Sequence, residues 1–313
     1  MQNKGIPIIS KETNYWVVRP GVEGKFFDDF YYDNSIALGW DKIKCIEQVK
    51  KLKSVEPLKV IVKNEYSQEL ANNTSGEKGI NRKVSDIANK IYRFINEIKI
   101  GDIIVTPGSK EILIGEVTGE AFLGENKYKD TFNTESEKIG ELNKIRTVRW
   151  IKRINRDHIE PNLKLTLRVS HGICHVNNDQ VITEINRCLY SFYAFEESGH
   201  TIYRIKSTEE IDFSKYANFI RHINGIYELL KDDFECQDLS IKTNVQSPGP
   251  IELIGECGLV KSVLAAANII FKKNENTINE LSLEQKLKID KYMENNPNEY
   301  EYDDYEFPSI GGY

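Results

Sequence analysis

Residues 101–119, GDIIVTPGSKEILIGEVTG, decide how the first half of this chain is read. Two apolar runs, Ile103–Val105 and Ile112–Ile114, flank Pro107-Gly108-Ser109-Lys110. Proline presets one turn dihedral, glycine tolerates the other, and the apolar flanks need burial, so the stretch predicts a β-hairpin. Upstream, YWVV (Tyr15–Val18) reads as a strand ending at the turn signal Arg19-Pro20-Gly21. Lys25–Tyr32 (KFFDDFYY) reads as a short aromatic helix, Ser35–Gly39 as a returning strand and Lys44–Lys53 as helical. Residues 72–79 form a polar loop, after which Ile87, Ile91, Phe94, Ile95 and Ile98 mark one face of an amphipathic helix. Downstream come a polar insertion (residues 124–143) and a strand over Arg146–Ile154. Short strands interleaved with helices predict a small, strongly bent β-barrel with helices over its ends.

The texture changes after residue 195. Tyr216, Phe219, Ile220, Ile223, Tyr227 and Leu230 recur at helical spacing within Phe213–Phe234. Leu239–Val245 reads as a strand and Ser247-Pro248-Gly249-Pro250 as a rigid turn. Ile251–Phe271 is interrupted by Glu252, Glu256 and Lys261, so it reads as a buried helix and not a membrane span. Ser282 with Gln285 three residues on gives a capping-box start to the last helix. The tail from Asn295 carries five acids and no base. The expected class is α+β: a barrel-and-helix domain over residues 1–195 and a smaller, mainly helical α+β domain over 196–313.

A chain of 313 residues, 40% hydrophobic and 29% charged, has material for two such cores. Cys45, Cys174, Cys188, Cys236 and Cys257 are scattered without a C-x-x-C pair, which suits reduced thiols. With no basic leader in MQNKGIPIIS, a cytoplasmic protein is expected. The net charge of −6 is unevenly spread. Residues 1–195 hold 30 Lys and Arg against 26 Asp and Glu; residues 196–313 hold 12 against 22. A phosphate partner is therefore compatible with the first half alone.

Trp16, Phe26, Phe27, Tyr31, Tyr32 and Trp40 crowd the opening segment beside Arg19 and Lys25. Core packing is the reading preferred for Phe26, Phe27 and Phe30. For Trp16 and Trp40, core packing and base stacking stand level. Lys144–Arg168 holds eight Lys and Arg against two acids. Strand alternation would place Arg149, Ile151 and Arg153 on one face and Trp150 and Lys152 on the other. Arg149, Lys152, Arg153 and Arg156 are the phosphate-contacting candidates, against the alternative of a solvated edge. His171, Cys174 and His175 lack a second ligand cluster, and Glu97-Ile98-Lys99 sits on a helical pattern unsuited to a strand-borne nuclease site. No catalytic residue, metal or cofactor is expected.

YWVVRPGVEGKFFDDFYYDNSIALGWD, then GDIIVTPGSKEILIGEVTGEAF, then VRWIKRINRDHI with LKLTLR resemble, in order, the PUA-like/EVE-like domains at the front of bacterial restriction and defence proteins. The blocks span about residues 14–180. The resemblance implies a bent β-barrel whose pocket holds an extruded, often modified, base. Carried over, the base-binding candidates are Trp16, Arg19, Gly39, Trp40, Thr106 and Pro107. The expected function is a nucleic-acid sensor, of DNA before RNA, working in a defence system with a partner protein bound through residues 196–313. A modification-dependent nuclease and a sensor of a nucleotide messenger are the alternatives.

Overall fold

The computed structural model describes residues 6–74, 76–124, 128, 142–168, 172–205, 212–243, 250–272, 275–296 and 305–307. It shows a mixed α+β protein that divides into two compact units, Thr13–Ile185 and Met1–Glu12 together with Asn186–Tyr313. The units thus part ten residues before the expected 195/196 division. The opening residues go with the second unit because their strand pairs with Ala194 and Phe195.

The chain runs β1 (Ile8–Ile9), β2 (Tyr15–Val18), α1 (Phe27–Tyr32), β3 (Ser35–Leu38), α2 (Ile46–Lys50), α3 (Glu56–Glu65), α4 (Ser67–Asn73) and α5 (Gly76–Tyr92). It continues through β4 (Ile103–Pro107), β5 (Glu111–Val117), β6 (Phe122–Leu123), β7 (Lys144–Asn155), α6 (Pro161–Thr166), β8 (Ile173–Val176) and α7 (Asp179–Leu189). The second unit adds β9 (Phe192–Phe195), β10 (Ser198–Ile205), α8 (Phe213–Leu230), β11 (Leu239–Thr243), β12 (Pro250–Glu256), α9 (Cys257–Lys272), α10 (Leu283–Asn295) and β13 (Tyr305–Glu306).

In the first unit seven strands form one curled, half-barrel sheet in the order β3-β7-β5-β4-β2-β8, with β6 also on β7. Only β2 and β4 run parallel among these pairs. The edges are β3 and β8, and no pairing between them is present among the described residues. The expected hairpin is β4–β5. All five β4 residues are buried, as in strands covered on both faces. Gly101, at φ 91, and Asp102 set the entry to it. The buried Asp102 carboxylate accepts from the amides of Asn14 and Lys99, 3.2 and 2.9 Å, and from Trp16 Nε1, 2.9 Å.

The anticipated helical face is real: Ile87, Ile91, Phe94, Ile95 and Ile98 are all buried. Its last turn, Arg93–Glu97, is π-helical. The buried Arg146 guanidinium donates to the carbonyls of Phe94, Ile95 and Gly119 at 2.7–2.9 Å. A wide turn leaves carbonyls without their regular partners, and this cation takes those of Phe94 and Ile95. The polar loop expected over 72–79 is largely absent, because α4 and α5 extend into it.

In the second unit six strands form a sheet in the order β1-β9-β10-β12-β11, with β13 on β10. Phe192, Tyr203, Ile205, Ile251 and Leu253 cluster with residues of α8, α9 and α10. This unit is thus richer in strand than expected. Residues 251–271 divide into β12 and α9 where one helix was expected. Ile251 and Leu253 alternate with Glu252, a period-2 pattern that pairs with β10 and β11. In α9, Val263 through Ala267 have no exposed surface, so these residues serve the unit's own core. The capping box of Ser282 and Gln285 opens α10 as read. The Ser247-Pro248-Gly249 turn, most of the polar insertion and most of the tail lie outside the described residues.

Candidate functional site

Three elements of the first unit meet at a cleft of about 480 Å³ lined by Ser109, Lys110, Asn155, Arg156, Asp157, Lys164 and Arg168. The β4–β5 turn brings Ser109 and Lys110, the end of β7 brings Asn155, α6 brings Lys164 and the turn after it brings Arg168. Lys164 and Arg168 are four apart, the spacing that places side chains on one side of a helical turn. Asn155 caps the turn after β7 by accepting from the Asp157 amide at 2.9 Å. Arg156 is tied to the hairpin twice: its amide donates to Lys110 O at 2.9 Å and its guanidinium to Gly108 O at 3.0 Å. Lys164 Nζ donates to Asp157 O at 3.2 Å.

The lining carries four cations against one carboxylate. Arg19 lies within electrostatic reach and donates to Leu167 O at 2.6 Å. Burial, and after it the positive charge of Arg156, lowers the Arg19 pKa. Like charges gathered with too few acids repel each other, and a bound anion relieves that repulsion. The arrangement therefore suits an anion with several acceptor oxygens.

Residues 16–170 match the profile of a family described as a domain of unknown function (DUF8426). Among curated proteins nothing matches. The matched segment contains every residue of the cleft lining.

Of the phosphate candidates, the structure brings Arg156 into the cleft and disperses the others. Gly115 faces Trp150 and Ile114 faces Lys152, leaving Ile151 as the extra residue of a β-bulge. One extra residue reverses the alternation beyond it. Arg149 and Arg153 therefore lie on opposite sheet faces, correcting the simple strand reading. Arg149 pairs with Glu116 at 2.6 Å, and Arg153 with Glu111 at 2.6 Å and Asp28 at 3.1 Å. Lys152 sits opposite Ile114, outside the cleft lining.

The base-binding candidates are likewise separated. Trp16 is 3% exposed, bonded to Asp102 and 4.7 Å from the His175 ring. It packs in the core cluster of this unit. Thr106 is buried, with its hydroxyl unbonded among the described residues. Pro107 closes β4 beside the cleft turn. Gly39 and Trp40 offer their carbonyls to the buried Lys144, whose Nζ lies 3.1 and 2.8 Å away. Trp40 takes a left-handed φ of 61°, costly for a bulky residue, and Lys144 helps hold it. Burial pushes the Lys144 pKa down to about 7. His171 lies outside the described residues, and Cys174 and His175 are on β8. No group of metal-ligand type is present among the described residues.

Sequence reading missed Lys110, Lys164 and Arg168 as a set. The basic stretch contained the last two. Only the fold shows that Lys110, more than forty residues earlier, faces them.

Proposed function

We propose that the Thr13–Ile185 unit binds nucleic acid, DNA before RNA, holding backbone phosphates in the cleft of Lys110, Arg156, Lys164 and Arg168. The observation that carries this reading is the excess of cations in one concave site, in the half of the chain with surplus Lys and Arg. The curled sheet is compatible with a PUA-like/EVE-like barrel. The defence or restriction setting rests on the resemblance of the three sequence blocks.

The test is binding of the full chain to a labelled oligonucleotide across a salt series. Lys164→Ala with Arg168→Ala flattens the log-affinity against log-salt slope by roughly 0.7–0.9 for each phosphate no longer neutralised. An unchanged slope removes the cleft from the binding surface. Binding of a free mononucleotide in preference to any oligonucleotide supports the messenger-sensor alternative instead.

A further inference from the structure

Helix α1 divides its aromatic residues sharply. Phe27 and Phe30 turn inward, at 8% and 0% exposed, whereas Tyr32 is 75% exposed. The Tyr31 and Tyr32 rings meet edge to face at 5.5 Å. The Arg153 guanidinium lies 5.1 Å from the Tyr31 ring centre and 5.4 Å from that of Phe27. Its two carboxylate partners, Glu111 and Asp28, hold it in place. The result is an aromatic ledge, open on Tyr32 and stiffened from behind by a cation.

This ledge adjoins the cleft through two connections. Arg153 precedes the cleft residue Asn155 by two positions of β7, about 7 Å of strand. The bulge at Ile151 brings Arg153 onto the α1 side of the sheet, as does Trp150, whose Nε1 donates to Phe30 O at 2.7 Å. Phe27 also packs against Gly108, the residue whose carbonyl holds Arg156: a Cβ there would lie 2.8 Å from the Phe27 ring. A strand whose phosphates occupy the cleft thus has an open aromatic face, Tyr32, in the same unit and within a few nucleotides' reach.

We infer that the site takes single-stranded nucleic acid, with an unpaired base laid on Tyr32 beyond the phosphates held in the cleft. This inference rests on the phosphate-binding reading above and adds the class of strand. Base faces inside a duplex are covered by their neighbours, so only an unpaired base can use an exposed tyrosine. Asp29 in α1 and Asp33 just past its end add negative charge here, Asp28 being paired with Arg153. That charge repels backbone and leaves the ledge to the base, while the cations of the cleft draw the phosphates.

The experiment compares an oligothymidylate strand, its duplex with oligodeoxyadenylate, and an abasic strand of equal length, each with the full chain. Tyr32→Ala weakens binding of the thymidylate strand about five- to a hundred-fold and leaves the abasic strand unaffected. The salt slope stays unchanged, because every phosphate keeps its cation. Tyr32→Trp restores binding. Wild-type affinity of Tyr32→Ala for the thymidylate strand, or equal wild-type affinity for strand, duplex and abasic strand, overturns the inference. If Lys164→Ala with Arg168→Ala still flattens the slope in that case, the cleft reading survives alone. Absence of binding to all three overturns both.

Discussion

Lys144 shows how far a residue's role can depart from its charge. Within a run of eight cations it reads as a solvent-facing contact, yet it is fully buried under the carbonyls of Gly39 and Trp40. Its pKa falls from the ordinary 10.5 to about 7 because burial disfavours the charged form. Between those values the unfolded chain binds more protons than the folded one, so this residue makes stability rise with pH from about 7 to 10.5. In Lys144→Met that dependence is missing. Urea midpoints of the two proteins should therefore diverge in favour of the wild type on going from about pH 7 to about pH 9. A constant difference between them would show that the folded amine keeps its ordinary pKa. Arg146 belongs to the same case, since three carbonyls take its donors and burial pushes its pKa down to about 10. Neither role can be read from a sequence, because the accepting carbonyls lie on segments far from the cation.

At the scale of elements, the sequence carried the local signals and lost the long-range ones. The hairpin around Pro107–Lys110, the α5 face and the Ser282 cap rest on neighbours within a few residues, and they stand as read. The bulge at Ile151 depends on what β5 presents to β7, and period-2 counting cannot reveal it. Gly115 is its hinge. A Cβ there would lie 2.7 Å from both Arg149 O and Trp150 Cε3 and 2.9 Å from Val148 Cγ1. Backbone cannot yield as a side-chain tip does, so Gly115→Ala should destabilise the first unit by about 1–3 kcal/mol. It should also disturb the opposed placement of Arg149 and Arg153. Chemical denaturation measures the first effect, and an unchanged midpoint would mean that the strands part at no cost. The cleft was legible in part for the same reason: Arg156, Lys164 and Arg168 come from one basic stretch, while Lys110 arrives only through the turn.

For the whole molecule, the three tryptophans provide a selective reporter. Trp16, Trp40 and Trp150 all lie in the Thr13–Ile185 unit, so indole emission follows that unit alone, whereas far-ultraviolet dichroism follows both. Each unit has its own sheet and its own buried cluster, the condition for separate cooperative transitions. A ligand that binds one folded unit stabilises that unit by RT ln(1 + [L]/Kd), about 2.7 kcal/mol at a hundred times Kd. With a saturating oligonucleotide, the fluorescence midpoint in urea should rise while the remaining dichroic transition stays in place. The cleft variants Lys164→Ala and Arg168→Ala should abolish that rise while leaving the unit folded, because both side chains line an open cleft and not the core. A shift of the second transition instead would assign the binding to residues 186–313, against their acidic balance. A single coincident transition in the absence of ligand would show that the two cores unfold as one. If the fluorescence midpoint ignores the oligonucleotide at every concentration, the first unit does not bind it, and the excess of cations in the cleft needs another anion to explain it.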